Sequence, residues 1–319
     1  MQTNKTSVIS FTVCNKTQEM MSQELDWCKR PNTPAYAKWQ AKDGDTVITL
    51  YESGKVVFQG KDADLASDFW ITTEKINSGK VDVKNSSNKE KKEKIEYIDP
   101  KIYNSNSIGS DEVGTGDYFG PIVVTATFVS KENIAFLEDL GVKDSKKLTD
   151  EKILEIVPQI IKRIPYESII LSNKEYNEKY DENTNMNKIK AIMHNRALGL
   201  IRNKGFDYDY IVVDQFAKPY VYYNYLKTSN NVVKNITFIT KAEDKCLSVA
   251  CASLISRYIF LKEFDKLSNS LDMYLLKGAS DKVDEQGLQI VKKYGFEKLS
   301  EVAKLNFKNT EKIKVKLED

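Results

Sequence analysis

Residues 82–99 read DVKNSSNKEKKEKIEYID, and a single hydrophobic core cannot run through them. Five lysines and five acids stand there among Asn and Ser, with few apolar side chains before Ile95. Ordering such a stretch costs more conformational entropy than its apolar area returns, so it reads as a charged linker. A continuous solvated helix is the other reading, and both divide the chain. The expected boundaries are a first domain over 1–81, the linker over 82–99 and a second domain over 100–319. A chain of 319 residues suits two domains better than one. With 41% hydrophobic and 10% aromatic residues, both can have a core.

The first domain reads as a small α+β unit. SVISFTV (7–13) has strand composition, and Met20, Met21, Leu25 and Trp27 mark a helix over 17–27. AYAKWQA, TVITLYE and KVVFQG read as three strands, the last two joined by a tight ESGK turn. A helix follows over 62–76, with Asp62 or Asp64 near its cap. Lys38, Lys42, Lys55 and Lys61 interleave with Tyr36, Trp39 and Tyr51 on these strands. By itself that pattern is ordinary sheet surface.

The second domain alternates strands and helices, which predicts a mixed sheet with helices packed on it. Residues 106–113 and 121–130 form an expected hairpin, and 167–173, 210–216 and 236–244 are further expected strands. Helices are expected at 149–163, 187–204 and from 245 onward. In the second of these, Ile189, Ile192, Met193, Leu200 and Ile201 keep the spacing of one buried face. The only histidine, His194, lies on this helix and reads as a surface or partly buried side chain.

Sites in α/β sheets gather where strands end. Asp111 and Glu112 end one expected strand, Asp214 ends another, and Asp244 stands between a strand and a helix. Two carboxylates about 4 Å apart at an effective dielectric near 20 repel by about 4 kcal/mol, so such a cluster must protonate or bind cations. With neither Cys nor His beside these acids, hard oxygen donors favour Mg²⁺ or Mn²⁺ over Zn²⁺. Two such ions could clamp a scissile phosphate. Taken singly, the Asp-Glu pair is an ordinary solvated turn and Asp244 an ordinary helix cap. Asp214 is harder to dismiss, because it closes an all-apolar strand.

Immediately after the acid pair, Gly114 and Gly116 flank Thr115. Backbone N–H groups and a hydroxyl there could contact a sugar or phosphate, although a plain hairpin turn has the same composition. In GVKDSKKLTD (141–150), Lys143, Lys146 and Lys147 make a compact basic loop, and Thr149 or Ser145 could cap the next helix.

The formal net charge is only +2, so any nucleic-acid surface must come from local clustering. Cys14, Cys28, Cys246 and Cys251 show no metal-binding spacing and read as reduced thiols. No signal or membrane-spanning pattern is evident, so a soluble cytoplasmic monomer is the expectation.

Four segments, GSDEVGTGDYFGP, DSKKLTD, VVDQF and KAEDKCLSVACASLISRY, resemble in that order the motifs of the type 2 ribonucleases H, most closely the ribonuclease HIII branch. The resemblance implies a ribonuclease H-like mixed five-stranded sheet flanked by helices. It also implies an N-terminal TATA-binding-protein-like domain that binds substrate. The implied activity is endonucleolytic cutting of the RNA strand of RNA/DNA hybrids, leaving 5′-phosphate and 3′-hydroxyl ends. By the same resemblance, metal-binding carboxylates fall on Asp111, Glu112, Asp214 and Asp244. Substrate contacts fall on Gly114, Thr115 and Gly116, and on Ser145, Lys146 and Lys147. The 2′-OH is what tells RNA from DNA at such a turn. Small residues in CASLIS (251–256) would let the helix after Asp244 pack closely on the sheet, with Cys246 and Cys251 as core side chains. Two other readings compete: a related nuclease acting on DNA, and a non-catalytic hybrid-binding module.

Overall fold

The computed structural model describes residues 7–60, 62–85, 101–181 and 184–318. The linker expected over 82–99 falls outside these from residue 86 onward. The described residues divide into two units, one drawn from Met1–Lys94 with Asn306–Asp319, the other from Ile95–Leu305.

The first unit is a five-stranded antiparallel sheet with helices on one face. Its elements are β1 (Ser7–Thr12), α1 (Asn15–Glu24), β2 (Ala37–Asp43), β3 (Thr46–Tyr51), β4 (Lys55–Gly60), α2 (Ala63–Ser78) and a short β5 (Lys84–Asn85). The strand order is β2-β3-β4-β1-β5. Alternation puts Ile9, Phe11, Ile48, Leu50 and Phe58 on the inner face, where Met21 of α1 and Trp70 of α2 cover them. Helix α1 ends before the expected limit of 27, so Trp27 lies beyond it and is 64% exposed. Gly79 takes the left-handed conformation that closes α2, at φ 82°. Residues 306–319, assigned from sequence to the second domain, group with this unit: the helix Lys308–Glu318 packs against α2, with Ile313 buried.

The second unit carries the mixed five-stranded sheet in the order β10-β9-β6-β7-β8. Its elements run β6 (Ser107–Val113), β7 (Ile122–Val129), α3 (Ile134–Asp139), α4 (Asp150–Ile160), β8 (Tyr166–Leu171), α5 (Asn173–Lys179) and α6 (Met186–Arg202). They continue with β9 (Tyr210–Asp214), α7 (Pro219–Tyr225), β10 (Ile236–Ile239), α8 (Leu247–Ser270), α9 (Asp281–Tyr294) and α10 (Phe296–Val302). β6, β7 and β8 pair antiparallel, while β9 and β10 run parallel to β6. Every residue of β7 is buried, as its apolar run requires.

Helices α6 and α8 pack against the central strands, each heading a separate core. Helix α8 lies so close that a Cβ on Gly109 of β6 would sit 2.4 Å from the backbone nitrogen of Val249. Ser248, Ala250, Cys251 and Ala252 make that approach possible, and Cys246 is buried with them, as the small-residue reading expects. Thr149 caps α4, accepting the N–H of Lys152 at 3.3 Å. The strand expected over 236–244 stops at Ile239. Lys241 then turns into the left-handed region at φ 52°, and Ala242–Asp244 form a single helical turn.

Candidate active site

The register of the sheet brings strand ends together. Ser110 pairs with Val213 across β6 and β9, so Asp111 and Asp214 follow at the same level. Ile239 pairs with Asp214 across β9 and β10, so the turn after β10 opens at that edge as well. Successive strand residues face opposite sides of a sheet. Asp111 therefore faces α8, where Ser253 hydrogen-bonds its carboxylate and Ser256 Oγ donates to its backbone carbonyl at 3.1 Å. Glu112 faces α6, where Lys190 and His194 meet it.

These two faces create opposite electrostatics. Burial pushes the Asp111 carboxyl well above the usual range, and the charges of Glu112 and Asp214 push it further. The hydrogen bonds from Ser253 and from the Glu112 N–H, 2.9 Å away, oppose this only in part. Burial works against the Glu112 charge too, but Lys190 and His194 outweigh it and hold the carboxyl at about 2. Lys190 pairs with Oε1, His194 Nε2 lies 2.9 Å from Oε2, and both side chains of the Lys190–Glu112 pair are 12% exposed. Burial raises Asp214 to about 6; Glu243 and Glu112 add to the rise, while the Ala242 N–H, 2.8 Å from Oδ1, opposes it.

The structure thus gathers Asp111, Glu112 and Asp214, and the half-buried Glu243 is the largest of the charges acting on Asp214. Asp244, the residue chosen from sequence, is exposed at the end of the same turn. Residues 242–244 form a helical turn rather than the end of a strand.

His194 corrects the sequence reading as well. It is fully buried, with Nδ1 2.7 Å from Ser110 Oγ, and its ring stacks on Phe216 at 5.3 Å. Lys190 lies over the same ring at 4.2 Å. Both were discoverable: they are four apart on one helix, and His194 precedes Ala197 and Leu198 by the spacing of the buried face.

The turn after β6 is braced from beneath. Gly114 has φ 95°, and a Cβ there would meet the Pro121 carbonyl oxygen at 2.1 Å, so glycine is required by the fold itself. Gly116 faces open space, and Thr115 is half-buried beside it. Asp117 Oδ1 accepts the Gly278 N–H at 2.6 Å. The fully buried Lys304 donates to the carbonyls of Asp117 and Gly120, at 2.7 and 2.5 Å. Burial pushes its ammonium down to about 7, against the pull of Asp117.

The lysine motif occupies a helical turn over Val142–Lys147, beside both α8 and the Glu243 turn. Lys147 is exposed and Ser145 buried; the side chains of Asp144 and Lys146 lie outside the described set. Arg257 of α8 fixes the following helix start, donating from Nε to Asp150 Oδ1 at 2.9 Å and from Nη1 to the Leu148 carbonyl at 3.2 Å.

Among the described residues, no three His, Cys, Asp or Glu side chains are drawn tightly enough together to enclose a metal ion as they stand. The donor set is nevertheless that of a hard cation: oxygen only, half-buried, and with two of its carboxyls raised by desolvation and neighbouring acids.

A mixed sheet with acids at the ends of its central strands is the ribonuclease H class of architecture. The family model for ribonuclease HII matches residues 108–310, and a domain of unknown function (DUF3378) matches residues 8–82. Ribonuclease HIII of Bacillus mycoides (strain KBAB4) is 41% identical over 298 residues, covering 92% of this chain and 93% of that protein. The crystal structure of Bst-RNase HIII in complex with Mn²⁺ superposes with a TM-score of 0.68 at 36% identity, covering 98% of each chain. Aquifex aeolicus RNase H3, at 21% identity and a TM-score of 0.52, shares the fold. The chain belongs to the ribonuclease HIII family and is a ribonuclease H.

Proposed function

We propose that this enzyme hydrolyses the RNA strand of RNA/DNA hybrids at Asp111, Glu112, Asp214 and Glu243, leaving 5′-phosphate and 3′-hydroxyl ends. The observation that carries the reading is the half-buried group of acids with too little counter-charge, set beside an open glycine turn. The family resemblance first pointed to Asp244; its exposure, and the charge of Glu243 on Asp214, favour Glu243.

The Mn²⁺ bound by Bst-RNase HIII supports a divalent ion here, Mg²⁺ or Mn²⁺, and the family resemblance supports two when substrate is present. Bound at these carboxylates, such ions would supply an activated water and stabilise the leaving 3′-oxygen. The chain's own residues do the rest. Asp111 and Asp214 are held ready by the α8 serines and the Ala242 N–H. Thr115 and Gly116 present a hydroxyl and open backbone to a ribose 2′-OH, which distinguishes the RNA strand. Ser145, Lys146 and Lys147 lie on the turn suited to a neighbouring phosphate. The N-terminal unit serves as a substrate-binding domain in this reading.

Thr115→Val tests the ribose contact. It should cut the preference for RNA/DNA over DNA/DNA while leaving metal dependence intact. An unchanged preference would remove Thr115 from the site.

A further inference from the structure

Glu112 differs from the other acids in having both carboxylate oxygens engaged from a single helix: Oε1 by Lys190 and Oε2 by His194. His194 is in turn held on its other side. Ser110, two residues before Glu112 on the same face of β6, meets Nδ1 at 2.7 Å. Ser110 and His194 are fully buried, and Phe216 closes the ring's flat face. An ionised carboxylate only accepts hydrogen bonds, so Nε2 must carry a proton. The Ser110 hydroxyl can then donate to Nδ1 and fix both tautomer and ring orientation. One strand therefore supplies both the acid and the hydroxyl that aims the acid's partner.

We propose that His194 is a positioning residue for the proposed reaction: oriented by Ser110, it fixes the rotamer of Glu112 through Nε2–H. The inference rests on the reading of Glu112 as a site carboxylate. Outer partners of metal-binding groups commonly change metal affinity or activity by about 10–100-fold when removed. A merely structural histidine would act through stability instead.

Two near-isosteres separate these roles. In His194→Gln the side-chain amide can donate from the place of Nε2. In His194→Asn it reaches only the place of Nδ1, keeping Ser110 but releasing Glu112. Three measurements are made on the full chain: hybrid cleavage, Mn²⁺ binding without substrate by loss of the free-ion electron paramagnetic resonance signal, and melting temperature. His194→Asn should lose roughly 10–100-fold in kcat or in Mn²⁺ affinity, with KM for hybrid and melting temperature little changed. His194→Gln should restore most of that loss. Equal losses in both variants, no loss in either, or losses that follow melting temperature would overturn the proposal. If wild-type protein cuts no hybrid, the nuclease reading fails, and the Mn²⁺ comparison still decides the role of His194.

Discussion

The two units each withdraw carboxylates from water, fully in one and by half in the other, and they treat them differently. In the N-terminal unit, Glu74 of α2 is 3% exposed, and both its oxygens accept the Cys14 N–H, at 3.1 and 3.2 Å. The acid closes the start of α1 and its charge has a donor. In the larger unit, half-buried Asp111 and Asp214 lie where neighbouring acids act on them, and desolvation together with those charges raises their carboxyls. A buried acid aimed at a backbone N–H stabilises a fold. Asp111 and Asp214 also accept backbone N–H groups, but the charges of neighbouring acids act on them as well, which costs stability and is the pattern of a functional site.

That contrast breaks most visibly at Asp214. Losing several kcal/mol of charge stabilisation amounts to roughly 10³-fold in rate, so Asp214→Asn should reduce cleavage by at least that order. It should also raise the melting temperature of metal-free protein. Glu74→Ala should do the reverse, keeping kcat and losing about 1–3 kcal/mol of stability, because the Cys14 N–H loses its acceptor. If Asp214→Asn destabilises and Glu74→Ala does not, the contrast is wrong.

The two neighbours in the turn after β10 sharpen the comparison further. Glu243→Gln should lower kcat at least roughly tenfold more than Asp244→Asn does. The reverse order would restore the sequence-based choice.

The pH dependence is the subtler effect. Asp214 rises from 3.8 to about 6 on folding. Between those values the folded chain holds a proton that the unfolded chain has released, so stability falls as pH rises through the window. At about 1.4 kcal/mol per pH unit the loss is about 3 kcal/mol, and Asp111 adds to it in the same direction. Glu112, held at about 2, acts oppositely and lower: its contribution is present above its ordinary value of 4.5 and is lost as pH falls toward 2. Denaturant melts of metal-free protein at pH 4 and 6 should show the decline, and Asp214→Asn should flatten it. A stability that rises over this interval would contradict the electrostatic account.

Much of this was legible in the sequence. Strand periodicity put Asp111, Glu112 and Asp214 at strand ends, and the apolar run of 121–130 fixed the buried centre of the sheet. What stayed hidden depended on local turns and on packing between distant segments. No period distinguishes Glu243 from Asp244, because the left-handed backbone at Lys241 ends the strand early. The spacing of His194 from Ala197 and Leu198 hinted at burial, but its partners come from β6, some eighty residues earlier. The helix Lys308–Glu318 carried no sign that it packs with α2 rather than with the domain preceding it.

The most direct test uses end-labelled RNA/DNA, RNA/RNA and DNA/DNA duplexes with wild type and Asp214→Asn, in Mg²⁺, Mn²⁺ or EDTA. The account predicts that wild type cuts only the RNA strand of the hybrid, and that EDTA or the substitution abolishes cutting. Cleavage that survives EDTA or Asp214→Asn, or that falls equally on DNA/DNA, would contradict it.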